Sequence, residues 1–327
     1  MERSNIRPGR ARALGSLWGV ALGLVGLVFL GSVMAERVPA AAWEGVAERG
    51  GSEGEDGAEA RVALVTGSTS GLGREVALRI ASSGAHVIVH GRSEERGREV
   101  VREIEAEGAG SATFHAADLA SLDEVRRFAE TVLAEYDRLD VLVNNAGVWL
   151  EPDDGRVVTE DGYELHFQVN YLSHFLLTHL LLPRIQESAP ARIVNVASSA
   201  QRPIDFDDVM LEEDYSDGRA YAQSKLAQIL FSMKLADELE GTEVVVTALH
   251  PATFMDTDMV LSRGAEPRAS VNEGADAVMN LVTSGDVESG AFFNGLAETE
   301  ANEQAYDAGS LERLWRLSAE LTGLEPE

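Results

Sequence analysis

The sequence predicts an α/β fold: a single doubly wound domain with a mostly parallel sheet, preceded by an N-terminal helix of transmembrane length. Three observations carry that expectation. From Arg61 onward, short β-branched runs alternate with amphipathic helical patterns. The first of those runs passes directly into a glycine-rich turn, and near the N-terminus a long stretch carries no charge.

The uncharged stretch lies between Arg12 and Glu36. Its 23 residues, Ala13 to Ala35, extend roughly 35 Å at about 1.5 Å each, enough to cross a hydrocarbon core. No polar face interrupts it, which disfavours a buried soluble helix. A membrane anchor over 13–35 is the expectation. A secretory signal cut after Val33-Met34-Ala35 is the rival, although the apolar run exceeds a usual signal core. Residues 1–12 form a basic flank with Arg3, Arg7, Arg10 and Arg12. Residues 36–60, rich in glycine and acid, read as a flexible tether, which leaves 61–327 for one domain.

Within that domain, strands are expected over Val62–Thr66, His86–His90, Ala112–His115, Val141–Asn144, Arg192–Val196 and Val244–Leu249. The helical patterns between them repeat apolar residues at three and four positions, as in Leu122, Val125, Phe128, Ala129, Val132 and Leu133. Strand, helix, strand, repeated in this way, requires parallel strands with helices on both faces.

The first strand leads into Thr66-Gly67-Ser68-Thr69-Ser70-Gly71-Leu72-Gly73. Glycines there let the backbone turn tightly and approach a pyrophosphate at the start of the following helix. The spacing is Gly-x-x-x-Gly-x-Gly rather than the more common Gly-x-Gly-x-x-Gly. Further along, Tyr221 and Lys225 stand four residues apart on an expected helix and so share a face. A free phenol titrates near ~10, and a neighbouring ammonium is expected to lower that value and suit the phenol to proton transfer.

Together with Asn144-Asn145-Ala146-Gly147, Asn170 within Val169-Asn170-Tyr171, Ser198 after Ile193-Val194-Asn195-Val196-Ala197, and Tyr221-x-x-x-Lys225, this turn resembles the short-chain dehydrogenase/reductase family from Arg61 to about Leu296. The resemblance implies a Rossmann-type domain and hydride transfer between a nicotinamide dinucleotide and a carbonyl or alcohol, with no metal. It implies Tyr221 as proton donor and acceptor, Lys225 as its electrostatic partner and Ser198 as the group that holds the substrate oxygen. Asn170 would hold a water that links Lys225 to solvent. Ser198 rather than Ser199 aligns with the catalytic serine. The dinucleotide would lie against Gly67, Ser68, Ser70, Gly71, Leu72, Gly73, Asp118, Leu119, Asn145, Ala146, Gly147, Tyr221, Lys225, Pro251 and a threonine. The family's usual Pro-Gly reads Pro251-Ala252 here, so that threonine is Thr253 or Thr257, and Thr257 is preferred.

The end of the second expected strand reads His90-Gly91-Arg92-Ser93, with no carboxylate before Glu94. Enzymes that use NAD commonly place an acid there for the ribose hydroxyl, whereas Arg92 suits a 2′-phosphate. NADP is therefore expected, with NAD as the alternative. The acidic interval between Ser198 and Tyr221, with Tyr171-Leu172-Ser173-His174-Phe175 and Leu226-Ala227-Gln228, is similar to the retinol-dehydrogenase-like branch. That likeness implies a lipophilic small-molecule substrate and a membrane-anchored enzyme. For the individual carboxylates of the interval, a solvated loop with no substrate role is the preferred reading. A non-catalytic NADP-binding sensor and a carbon–carbon double-bond reductase are the competing readings, and self-association into a homo-oligomer is left open.

Composition narrows the rest. The 327 residues carry 55 acids and 27 bases, a formal charge of −28, which opposes nucleic-acid binding. Cysteine is absent, so there is no disulfide and no thiolate chemistry. Lys225 and Lys234 are the only lysines, a pattern that fits salt adaptation or a GC-rich genome. The arginines ahead of the apolar segment predict a cytoplasmic N-terminus and an external domain, whereas soluble NADPH is expected inside. A cytoplasm-facing domain is the preferred reading.

Overall fold

The computed structural model describes residues 60–151 and 154–325. The expected basic flank (1–12), the membrane-length segment (13–35) and all but Ala60 of the tether lie outside the described residues. Among the described residues, no helix is long and apolar enough to cross a membrane.

Eight strands form one sheet: β1 (Val62–Val65), β2 (His86–Gly91), β3 (Ser111–Ala116), β4 (Val141–Asn144), β5 (Ala191–Val196), β6 (Val244–His250), β7 (Phe292–Asn294) and β8 (Ala297–Glu298). They lie in the order β3-β2-β1-β4-β5-β6-β7-β8. Every pairing is parallel except β7 with β8. The six expected strands are present to within a residue or two at each end. The short β7–β8 hairpin was not anticipated. Its turn starts at Gly295, whose φ of +61° glycine adopts without strain.

The helices are α1 (Gly71–Ser82), α2 (Glu94–Glu107), α3 (Leu122–Glu135), α4 (Ser173–Glu187), α5 (Asp217–Glu238), α6 (Asp258–Leu261), α7 (Val271–Thr283) and α8 (Ala308–Thr322). Residues along each central strand alternate between two apolar layers. Leu64, Ile88, Leu142, Ile193 and Val246 pack with α3, α4, α5 and α8. Val65, Val89, Val143 and Val194 pack with α1, α2 and α7 on the other face. Burial on both faces explains why the strands read as continuous apolar runs.

From β3 the chain returns past β1 to form β4, so strand order reverses between β1 and β4. In open α/β sheets such a reversal opens a crevice at the carboxyl ends of the strands. Directly below it, polar side chains lock the core. Asn144 Nδ2 donates to Asn195 Oδ1 at 2.9 Å and to Thr178 Oγ1 at 3.0 Å. Asn195 Nδ2 donates to Ser232 Oγ at 2.9 Å, which fixes α5 against β5.

The acidic interval is folded rather than solvated along its length. Ile204, Val209 and Leu211 are buried, and Gln223 bonds the backbone at both Asp205 and Val209. Apolar residues interleaved with the carboxylates anchor the loop while the acids face out.

Candidate active site

At the end of β1 the glycine-rich turn is packed against two neighbours. Gly67 has φ +64°, and a Cβ there would stand 2.9 Å from Ala146 Cα. A Cβ at Gly73 would meet Asn145 Nδ2 at 2.3 Å and Gly67 O at 2.4 Å. Both positions therefore exclude a side chain. The turn is also bonded to β2: Gly67 N donates to His90 Nδ1 at 3.2 Å and Ser68 N to His90 O at 2.8 Å.

Ser68 differs from its expected role. Its hydroxyl is buried, donates to Val65 O at 2.7 Å and accepts from His90 N at 3.0 Å. It braces the turn instead of facing the crevice. Ser70 precedes α1 with no side-chain bond to the first turn, which leaves the leading amides of Gly71, Leu72 and Gly73 for an anion. The Leu72 side chain is buried in the core, so that residue can offer only its backbone. Free helix amides, side-chain-free approach and no carboxylate within residues 66–73 fit a dinucleotide pyrophosphate.

Across the turn, Asn145 Nδ2 donates to Thr66 O at 2.8 Å and Gly67 O at 3.3 Å. The Thr66 hydroxyl accepts from the amides of Asn145 and Ala146 at 2.9 and 3.0 Å. Thus the Asn145 side chain ties β1 to β4, and Ala146 packs directly against Gly67. Beyond β2, Arg92 lies 3.9 Å from Asp118, and its side chain is 69% exposed. That loose contact leaves the guanidinium able to turn toward a ligand. The Asp118 carboxylate accepts from Ala120 N at 3.0 Å and so also caps a turn. Leu119 is buried, and its carbonyl accepts from Ser173 Oγ at 2.6 Å.

The expected catalytic residues converge at the ends of β4 and β5. Ser216 caps α5, accepting from Arg219 N at 3.3 Å, and the first turns of α5 present Tyr221 and Lys225 on one face. The Ser198 hydroxyl accepts from Ala200 N at 3.1 Å and lies near enough to the Tyr221 phenol to oppose its upward shift. Ser198 is 7% exposed, whereas Ser199 faces solvent. Lys225 Nζ donates to Val196 O at 2.9 Å and to Gln228 Oε1 at 2.8 Å. It lies 5.8 Å from the Tyr221 ring centroid. A Cβ at Gly147 would come within 3.2 Å of Asn170 Oδ1 and 3.4 Å of Lys225 Nζ.

Two expectations change here. The Tyr221 phenol is held above its ordinary value, because burial outweighs the hydrogen bond from Ser198. Burial also pushes Lys225 down to about 7, since both its partners are neutral oxygens. In addition, Asn170 has both amide hydrogens engaged, to Val148 O at 3.1 Å and Ser224 Oγ at 2.9 Å, and its Oδ1 accepts from Val148 N at 2.7 Å. It acts as a brace between the Gly147–Trp149 segment and α5. It sits in a π-helical stretch, Phe167–Leu172, that runs into α4.

The segment after β6 closes the other side. Pro251 is buried. Thr257 Cγ2 would stand 3.2 Å from a Cβ on Gly71, directly at the glycine-rich turn, and Gly71 itself has φ +52°. Thr253 Oγ1 instead bonds His250 Nε2 at 3.0 Å, and burial holds His250 below its usual value. An aromatic wall escaped the sequence reading. Trp149 stacks on Tyr221 with centroids 5.0 Å apart and on Phe254 at 6.4 Å. A tryptophan two residues after the Asn-Ala-Gly run was the available signal.

The short chain dehydrogenase family profile matches residues 61–268. The chain is 38% identical to retinol dehydrogenase 12 of Homo sapiens over 280 residues, which covers 82% of this chain and 88% of that protein. It is 37% identical to retinol dehydrogenase 14 of Homo sapiens, with 81% and 87% covered. Among solved structures, a protein from Mycobacterium paratuberculosis is similar at TM-score 0.68 and 32% identity, covering 82% of this chain and 95% of that one. A short chain dehydrogenase from Escherichia coli in complex with NADPH is similar at TM-score 0.60 and 26% identity, covering 72% and 97%. The chain belongs to the short-chain dehydrogenase/reductase family, in its retinol-dehydrogenase-like branch, and is an NAD(P)-dependent oxidoreductase of alcohol and carbonyl groups.

Proposed function

We propose that the protein interconverts a lipophilic alcohol and its carbonyl compound with NADP(H), using Tyr221, Ser198, Lys225 and Asn170. The observation that carries this reading is Lys225 Nζ 5.8 Å from the Tyr221 ring on one helix face, with buried Ser198 at the end of β5, beside the strand-order reversal. The turn at Gly67, Ser70, Gly71 and Gly73, with the first amides of α1, would hold the pyrophosphate, and Asp118, Asn145–Gly147, Pro251 and Thr257 would flank the rest. Ser68 and Leu119 support this site from below. When bound, the nicotinamide supplies or accepts the hydride.

The chain's own residues handle the proton. Burial keeps Tyr221 Oη protonated near neutral pH, so it can donate to the oxygen of a carbonyl being reduced while Ser198 Oγ fixes that oxygen. Lys225 Nζ, held near 7 by burial, can return a proton to the tyrosine. Asn170 keeps the Gly147–Trp149 segment and α5 in register. Trp149 and Phe254 offer an apolar wall, which supports a lipophilic substrate of the kind that the names of the retinol dehydrogenase relatives indicate. Arg92 supports NADP, because its forked donors suit a 2′-phosphate.

The apolar sequence from Ala13 to Ala35 supports a membrane anchor, with the domain facing the cytoplasm where NADPH is held. A fluorescent reporter fused after Glu327 is expected to be protected from external protease in intact cells. Cleavage from outside would reverse that orientation.

Tyr221→Phe is expected to lower carbonyl reduction at least about 1,000-fold and leave NADPH affinity within twofold. In the wild type, reduction should fall as pH rises through about 7, because Lys225 loses the proton that replaces the one donated by Tyr221. A pH–rate profile flat to pH ~9 would contradict this assignment. Arg92→Leu should weaken NADPH binding by about 10–100-fold with little effect on NADH. Equal losses for both dinucleotides in a fluorescence titration would count against the preference.

A further inference from the structure

One buried ionisable pair has no part in the reaction as derived. Glu164 and His166 are 1% and 0% exposed. His166 Nδ1 lies 2.7 Å from Glu164 Oε1, and Glu164 Oε2 accepts from Phe167 N at 2.8 Å. His166 Nε2 is 3.1 Å from Leu150 N. A backbone amide can only donate, so Nε2 is the acceptor and Nδ1 carries the proton toward Glu164. Only that tautomer satisfies both bonds.

Leu150 directly follows Trp149, the indole that stacks on Tyr221 at 26°. The Arg263 guanidinium lies 3.9 Å from the Trp149 ring centroid and is itself bonded to Asp217 at 2.7 Å. His166 meets the Tyr221 ring edge-on, with centroids 6.5 Å apart. Backbone on one flank of the indole is therefore bonded to a fully buried imidazole, and a carboxylate fixes that imidazole's tautomer.

We propose that Glu164 and His166 are a positioning pair that, through the Leu150 amide, holds Trp149 as the wall of the substrate site beside Tyr221 and thereby sets affinity for the alcohol or carbonyl substrate. The pair touches neither substrate nor dinucleotide. Its role rests on the reading of Tyr221 as the proton donor, and it bears on substrate binding rather than on the proton step. Burying the Glu164 carboxylate carries a desolvation cost, and its bonds to His166 Nδ1 and Phe167 N fix the imidazole that holds the Leu150 amide.

The test uses the full chain with decanal and NADPH as probes. Glutamine places its amide oxygen close to where Nε2 stands, and asparagine reaches only as far as Nδ1. H166N should raise KM for decanal about tenfold while kcat and NADPH affinity stay within twofold. H166Q, which keeps the bond to Leu150, should stay within twofold throughout. W149A should raise KM as H166N does, and adding H166N to W149A should change nothing further. If H166N does not fold, E164Q takes its place in the cycle, because a carboxamide cannot accept from both Phe167 N and His166 Nδ1.

Trp149 emission, taken as the difference between the wild type and W149F, should become more open to acrylamide in H166N and not in H166Q. Equal behaviour of H166N and H166Q, additive effects in the double variant, or a parallel loss of NADPH binding would each overturn the proposal. A wild type inert on decanal would overturn the reading of the reaction, while the acrylamide contrast would still decide the role of the pair.

Discussion

The site is organised around the hydroxyl of Thr66 at the end of β1. A hydroxyl has one hydrogen to donate and two lone pairs to accept with. The amides of Asn145 and Ala146 occupy both lone pairs. The hydrogen then goes to His174 Nε2 at 3.0 Å rather than to Val143 O at 3.4 Å, which already accepts from the Thr66 amide. His174 Nδ1 in turn donates to Asn170 O at 3.0 Å. Burial pushes His174 down to about 3, so the imidazole is neutral, as this chain of bonds requires. Three motifs far apart in sequence are joined through one wholly buried oxygen: the glycine-rich turn, the Asn-Ala-Gly segment and the asparagine of the π-helical stretch.

This arrangement explains which residues were legible in the sequence. Gly67 and Gly73 were, because close approach leaves no room for a Cβ and glycine is the visible mark of that constraint. Tyr221 and Lys225 were, because a four-residue spacing fixes a shared helix face. Strand positions followed from burial on both faces of the sheet. What escaped was set by contacts between distant segments. Whether the Ser68 hydroxyl faces a ligand or the His90 backbone depends on where β2 ends, and spacing carries no sign of it. Trp149 and His166 are separated by a loop, and only the fold brings them to the same tyrosine. The two-residue strand β8 is too short to show periodicity.

Electrostatics inside the site ran against the simplest expectation for the same reason. A tyrosine and a lysine on one face suggest a lowered phenol. Yet the pair is buried, and the lysine donates to a carbonyl and an amide oxygen rather than to a carboxylate. Desolvation then disfavours both charged forms, raising the phenol and lowering the ammonium, so that the ammonium becomes the stronger acid of the two. A more acidic ammonium beside a less acidic phenol would favour proton transfer from Lys225 to a tyrosinate rather than the reverse. Among the described residues the carboxylates lie outside this site and mostly outside the core, Asp140 and Glu164 being the buried exceptions.

If the Thr66 hydroxyl holds the glycine-rich turn and the stretch around Asn170 in one register, removing it should disturb the proposed dinucleotide and proton-transfer sites at once. The most direct measurement is NADPH affinity and unfolding free energy for Thr66→Val and Thr66→Ser. Valine leaves the Ala146 amide and His174 Nε2 without a partner, while the Asn145 amide keeps Val143 O at 3.0 Å, so stability should fall by about 2–4 kcal/mol with a matching loss of NADPH binding, and serine should restore both. A valine variant that binds NADPH as the wild type does, at full stability, would contradict the account.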